Sequence, residues 1–185
     1  MNNIIFEDAK VIFPNFGGLE GRYNRAGNRC FSVMVTDQNG NPDTELAMQL
    51  KDEGWNIKER IVDGEPTGEY YINGVNINYN FYIKPKIVYV TTDSNGVEHE
   101  TEVTEEVLDN GIAEQLDGRG AERYDISIRP RKWERQDGTF GGIKGYVDEM
   151  LIVAKKSLFG NRESRFGDSR YLERALDDDR LPFGE

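Results

Sequence analysis

Two stretches of alternating side chains, residues 122–133 and 142–154, face one another across Gln136-Asp137-Gly138-Thr139, and nothing else in the chain constrains its fold so tightly. Alternation with a period of two is the mark of a strand, and an Asp-Gly pair tolerates the positive backbone angles of a tight reversal. The two stretches therefore predict a long antiparallel hairpin. On its first strand Tyr124, Ile126 and Ile128 share one face, which leaves Arg129, Arg131 and Trp133 on the other. Lys144 and Tyr146 of the second strand can lie beside that basic and aromatic face, because residues opposite one another in an antiparallel pair project to the same side.

The rest of the chain reads as shorter strands with helical insertions. Residues 4–13 are extended until Pro14, and 29–35 form a second strand with apolar residues on both faces, as a central strand has. Asp43 can cap a short helix carrying Leu46, Ala47 and Leu50 that Gly54 ends, and residues 55–61 are then extended, with Trp55 entering the core. From 70 to 82 Val75, Ile77, Tyr79 and Phe81 alternate with Asn76, Asn78, Asn80 and Tyr82. Residues 87–91 reverse around Ser94-Asn95-Gly96, and a helical turn starting at Thr104 ends by Gly111. A meander of five or more strands with an inserted helix predicts a mainly β protein, a five-stranded OB-fold barrel with short inserted helices. A β-sandwich is the competing architecture.

Enzyme signatures are missing. No Gly-x-x-x-x-Gly-Lys-Ser/Thr loop occurs, and Gly17-Gly18-Leu19-Glu20-Gly21 precedes a strand instead of opening a helix, so it is no dinucleotide site. Asp148 and Glu149 are neighbours on a strand and point to opposite faces, which prevents them from sharing a metal. With one cysteine, Cys30, and one histidine, His99, the chain has no internal disulfide and too few ligands for a zinc site. The expectation is a non-enzyme with no cofactor and no metal. No apolar run is long enough to span a membrane.

The net charge of -11, from 34 acidic and 23 basic residues, speaks against nucleic acid only if the bases are spread evenly. They are clustered. Arg129, Arg131 and Trp133 with Lys144 and Tyr146 combine guanidinium groups for phosphate with flat rings for stacking, the composition of a groove for single-stranded nucleic acid. The alternative is a solvated barrel exterior with Trp133 capping the core edge. Between the first two strands Phe16, Arg22, Tyr23, Arg25 and Arg29 interleave among glycines, the place where an OB-fold carries a clamp on the strand, unless this is a plain flexible loop. Lys84-Pro85-Lys86, beside Tyr82, extend the stripe or form a solvated turn. These residues predict a DNA-binding domain over 1–156.

After Ser157 the chain turns polar and rich in arginine, so 157–185 reads as a flexible, disordered tail with an acidic tip. Asp177, Asp178 and Asp179 precede Arg180 and then Leu181, Pro182 and Phe183, an apolar hook on an acidic tether suited to a shallow pocket ringed by Lys or Arg on a partner protein.

Phe6-Glu7-Asp8-Ala9-Lys10-Val11-Ile12-Phe13 with Asn15-Phe16-Gly17-Gly18, Tyr23-Asn24-Arg25, and Arg29-Cys30-Phe31-Ser32-Val33 resemble a family of phage-encoded single-stranded DNA-binding proteins. Gly54-Trp55-Asn56-Ile57, Pro85-Lys86-Ile87, Ile128-Arg129-Pro130 with Trp133, and Gly142-Ile143-Lys144-Gly145-Tyr146-Val147 add to it, so the resemblance covers roughly residues 3–154. It implies an OB-fold that binds and protects single-stranded DNA without strong sequence preference during phage DNA replication or recombination, in the cytoplasm of the infected bacterial host. The tail is similar to the acidic tip of bacterial single-stranded DNA-binding proteins, which implies docking of replication or recombination proteins. Here Arg180 interrupts that pattern and Gly184-Glu185 follow Phe183, so a partner that reads a terminal Phe carboxylate meets a mismatched end. A homo-oligomer is compatible with this reading. The alternative function is a phage structural or adaptor protein with a β-barrel body and a docking tail.

Overall fold

The structure is a computed structural model that describes residues 2–22 and 24–155. Tyr23, the tail expected from residue 157 and its acidic tip lie outside the described residues. The elements run β1 (Ile4–Phe6), β2 (Val11–Asn15), β3 (Arg29–Met34), α1 (Thr44–Glu53), β4 (Ile57–Val62), β5 (Glu65–Ile77), β6 (Lys86–Thr92), β7 (Glu98–Glu102), α2 (Glu105–Val107), a π-helical turn (Leu108–Ile112), α3 (Ala113–Arg119), β8 (Arg123–Glu134) and β9 (Phe140–Val153).

The expected hairpin is the longest pair in the sheet. β8 and β9 run antiparallel from Arg123↔Val153 to Glu134↔Phe140, and the register places Arg129 opposite Tyr146 and Arg131 opposite Lys144. An irregularity between Ser127 and Ile128 shifts the pairing by one residue, so Ser127 opposes Glu149 while Ile128 opposes Val147. The shift keeps Ile126 and Ile128 of β8 and Val147 and Met150 of β9 in the core, where all four are buried.

The nine strands form one sheet with β1, β8, β9, β5, β3 and β2 in that order. Its two ends, β1 and β2, are consecutive pieces of one extended N-terminal stretch. That stretch kinks at Asp8, whose φ of 50° lies in the left-handed region. Beyond the kink the Ala9 amide donates to the Tyr124 carbonyl at 2.7 Å, and the Lys10 carbonyl accepts from the Met34 amide at 3.0 Å. The sheet thus curls back on itself into a partly open barrel whose five members are the N-terminal stretch, β3, β5, β9 and β8. β5 meets β9 in a short parallel contact at Asn76↔Tyr146. The OB-fold expectation holds, with β4 and the β6–β7 hairpin added outside the five barrel members.

Local chemistry explains the helices. Asp43 caps α1 by accepting from the Leu46 amide at 2.9 Å, and Gly54 ends it with a φ of 102°, donating to the Leu50 and Lys51 carbonyls. Ala47 and Leu50 face the core, as the spacing predicts. The helical turn opened by Thr104 does not stop at Gly111. That glycine, with a φ of 100°, only kinks it, and the chain resumes as α3, which buries Ala113 and Leu116. Together α2 and α3 cover one end of the barrel with Leu108, Leu116 and Val103 among its buried residues.

A second difference concerns the strand expected over 70–82. β5 starts earlier, at Glu65, and ends at Ile77, so Val75 and Ile77 are core residues but Phe81 is not part of the strand. Asn78 ends the extended run by accepting from the Asn80 amide at 2.9 Å, an Asx turn that redirects the chain.

Candidate nucleic-acid interface

The outward face of β8 and β9 gathers five of the residues expected to bind DNA. Arg131 and Lys144 oppose each other across the hairpin and both are exposed. Neither is in an ion pair with a described residue. Each instead touches a ring: the Arg131 guanidinium lies 4.8 Å from the Phe81 centroid, and Lys144 Nζ lies 5.8 Å from the Trp133 ring. Phe81 in turn packs on Tyr146 with centroids 4.8 Å apart. Cations held against aromatic faces keep their charge available while their stems cover apolar surface.

Phe81 belongs to this surface although the alternation of 70–82 puts it on one face with Val75 and Ile77, which are buried. The signal that could have placed it is Asn78-Tyr79-Asn80, whose first asparagine breaks the strand before Phe81 is reached. Beside it Tyr82 is fully exposed, and Lys84 is exposed. The loop carrying these residues is tied down by Arg129, which donates to the Ile83 carbonyl at 3.2 Å.

Two other expected phosphate ligands are already engaged. Arg129 pairs with Asp148 at 3.2 Å and Lys86 with Glu149 at 3.3 Å. The Lys86 pair is exposed on both sides, so it contributes little stability and yields easily to a phosphate.

The exposed Trp133 ring rests on glycine. A Cβ on Gly141 would stand 2.4 Å from the indole, and one on Gly142 would meet Trp133 Nε1 at 3.3 Å. Phe140 packs the same way, since a Cβ on Gly54 would come within 2.7 Å of its ring. The Gly54 carbonyl also accepts from the Ile143 amide at 2.8 Å, which fastens the end of α1 to β9. Trp133 is 41% exposed, so part of its ring surface faces solvent.

The segment between β2 and β3 requires a correction. Phe16 and Arg29, expected on the DNA clamp, stand at its base and are buried. Phe16 stacks on Phe31 and Tyr124 at 5.3 and 6.3 Å, and its amide donates to Asp117 Oδ1 at 2.6 Å, so α3 anchors it. Arg29 Nη1 donates to the Phe16 carbonyl at 2.8 Å, while Nη2 pairs with Asp109 at 2.8 Å and with Glu105 at 3.6 Å. Its charge is thereby neutralised within the fold. The loop beyond is ordered by its asparagines: Asn15 and Asn24 both donate to the Leu19 carbonyl at 3.0 Å. Among the described residues expected on the clamp, Arg22 and Arg25 are the exposed ones.

A cleft of about 380 Å³ adjoins the β8–β9 face, sharing Lys144 and Tyr146 with it. Its lining is rich in asparagine, with Asn56, Asn73, Asn76, Asn78 and Asn80 among the residues contributed by β5 and its neighbours. Tyr79 forms part of the wall and donates to the Val103 carbonyl at 2.9 Å. Burial pushes its phenol up to about 12, so it remains uncharged at neutral pH. Among the described residues no three His, Cys, Asp or Glu side chains group as a metal site requires, and no helix is long and apolar enough to cross a membrane.

Among solved structures the chain is similar to the single-stranded DNA-binding protein from bacteriophage Enc34 in complex with ssDNA, with a TM-score of 0.47 and 15% identity over 86% of this chain and 90% of that one. A C-terminal truncation of the same Enc34 protein gives 0.46 at 15% identity, over 84% and 87% of the two chains. gp2.5, a single-stranded DNA-binding protein encoded by bacteriophage T7, gives 0.32 at 9% identity, over 88% and 95%. No curated protein sequence matches. The assignment rests instead on a family profile, that of the phage ssDNA-binding domain, which matches residues 1–178 and so spans both the barrel and most of the sequence after it. The chain belongs to the phage ssDNA-binding domain family.

Proposed function

We propose that this chain binds and protects single-stranded DNA, without strong sequence preference, through the outward face of β8 and β9 and the loop carrying Phe81 and Tyr82. The observation that carries this reading is the register of the hairpin, which puts Arg131 opposite Lys144 and Arg129 opposite Tyr146 on one face, with Trp133 exposed beside them. Phosphates would meet the cations and bases would stack on Trp133, Tyr146, Phe81 and Tyr82. Arg22 and Arg25 on the β2–β3 loop, with Lys84, extend the basic path. Duplex DNA keeps its bases stacked inside and offers nothing to those rings.

The protein acts by occupancy and carries out no catalysis in this reading. Its setting is phage DNA replication or recombination in the cytoplasm of the infected host. The acidic tip from Asp177 to Phe183 docks a replication or recombination protein. Phe183→Ala keeps the charge of the tip and removes its apolar anchor, so it should lower capture of such a partner while leaving DNA affinity unchanged.

Titration of oligo-dT and of a duplex of equal length, followed by tryptophan fluorescence at several salt concentrations, tests the central reading. The single strand should bind far more tightly, with a log-log salt slope of about -0.7 for each phosphate contacted. Equal affinity for the two would overturn it.

A further inference from the structure

We propose that the asparagine-lined cleft beside Tyr146 is a nucleobase pocket, in which side-chain amides hold the hydrogen-bonding edges of unstacked bases while the phosphates stay outside on the Arg131 and Lys144 face. The proposal rests on the reading of this chain as a single-strand binder and names the part of the nucleotide that each surface takes.

The charges of the cleft argue against phosphate as its occupant. Its lining includes Arg29, Glu105 and Lys144 as charged residues, and Arg29 is neutralised by Asp109 and Glu105. Lys144 stands at the border shared with the stacking face. A dianionic or anionic group placed deep among amides would find dipoles but little net positive charge, whereas a neutral base edge would find what it needs. The Ile77 and Ile143 side chains that also line it come from the buried core, so the cleft combines apolar surface with a few polar groups.

The amides are chemically available. Asn56 and Asn80 side chains have no hydrogen-bond partner among the described residues, although the Asn56 carbonyl accepts from the Asn73 amide and the Asn80 amide donates to Asn78. Asn76 spends its NH₂ on the Gly74 carbonyl at 2.8 Å and the Gly145 carbonyl at 3.4 Å, which leaves its Oδ1 as an acceptor. Asn78 spends its Oδ1 on Asn80 and keeps its NH₂ as donor. Arg29 Nε is buried without a partner, and an acceptor entering the cleft within its reach would remove that cost.

An asparagine amide offers a donor or an acceptor according to how it is turned, so a row of them can match any base edge. The chemistry thus gives base contact without a fixed sequence, unlike a bidentate arginine. It also explains why the row is asparagine and not lysine: lysine here would draw the backbone inward and turn the bases out.

The test uses the full-length protein and two probes, oligo-dT and a deoxyribose-phosphate oligomer of equal length without bases. Asn56 and Asn80 are the residues to change, because neither side chain supports the fold. The double variant Asn56→Ala, Asn80→Ala should lose about tenfold in affinity for oligo-dT, as two lost hydrogen bonds imply, with the salt slope and the affinity for the abasic oligomer unchanged. An equal loss on the abasic oligomer would show that the cleft holds backbone, and no loss on oligo-dT would show that it holds nothing; either overturns the proposal. Failure of the unmutated protein to prefer oligo-dT over duplex would overturn the single-strand reading itself, and the proposal with it. That failure is seen in the unmutated protein alone, so it is told apart from a failure of the cleft.

Discussion

The Trp133 indole occupies the space beside Gly141, so close that a single methyl group on Gly141 would stand 2.4 Å from its ring carbons. Gly141 has no positive φ, so its backbone accepts alanine and the ring alone obstructs it. The two residues form one unit, a ring and the bare strand that holds it.

Gly141→Ala should therefore tilt Trp133 off the sheet without harming the barrel. Single-strand affinity should fall toward the loss of about 1 to 3 kcal/mol expected for Trp133→Ala. The thermal midpoint should hold or rise slightly, since alanine costs less backbone entropy than glycine in a strand. The double variant should bind no more weakly than Trp133→Ala, because a ring that is gone cannot be displaced. Affinities from a titration of all three proteins with oligo-dT, alongside their melting curves, decide this.

Trp133 and Arg131 should separate by salt dependence. Trp133→Ala removes stacking and should leave the slope of log affinity against log salt as it was, whereas Arg131→Ala removes a phosphate contact and should flatten that slope by about 0.7. Titrations at four or more salt concentrations measure both.

Arg29 and Phe16 should behave as fold residues. Arg29→Ala leaves the Phe16 carbonyl without its donor and strands Asp109 and Glu105, both half exposed, at a cost of about 2 to 4 kcal/mol. Phe16→Ala opens a cavity between Phe31 and Tyr124 and should cost about 3 to 5 kcal/mol. Urea midpoints report these losses, and for the fraction that is folded the salt slope of oligo-dT binding should not change.

At the hairpin tip the Asp137 carboxylate accepts from Thr139 Oγ1 at 2.6 Å and from the Thr139 amide at 2.9 Å. These bonds hold its carboxyl below the usual aspartate value of 3.8. A pKa depressed in the folded state means that the turn is tied at all pH above that value and loosens only as pH falls through the lower folded one. Thr139→Ala should move the Asp137 midpoint back up, read from its carboxyl resonance in an acid titration.

How much of this was legible in the sequence depends on the range of the interaction. Alternation along β8 and β9 and the Asp-Gly turn are local, and they alone set which side chains share a face; Arg129, Arg131, Trp133, Lys144 and Tyr146 came together as the pattern required. Asp43 and Gly54 bounded α1 for the same reason, since caps are decided within four residues. The tertiary structure decided what a residue meets across the fold. Phe16 and Arg29 look like a basic and aromatic clamp until Asp117 and Asp109 arrive from 101 and 80 residues away, and burial with a charge partner then turns them into core. Phe81 parted from the face of Val75 and Ile77 once Asn78 ended β5, and Gly141 acquired its purpose only when the hairpin closed and laid Trp133 over it. Periodicity tells which way a side chain points, but solvation and neutralisation depend on neighbours that only chain closure supplies.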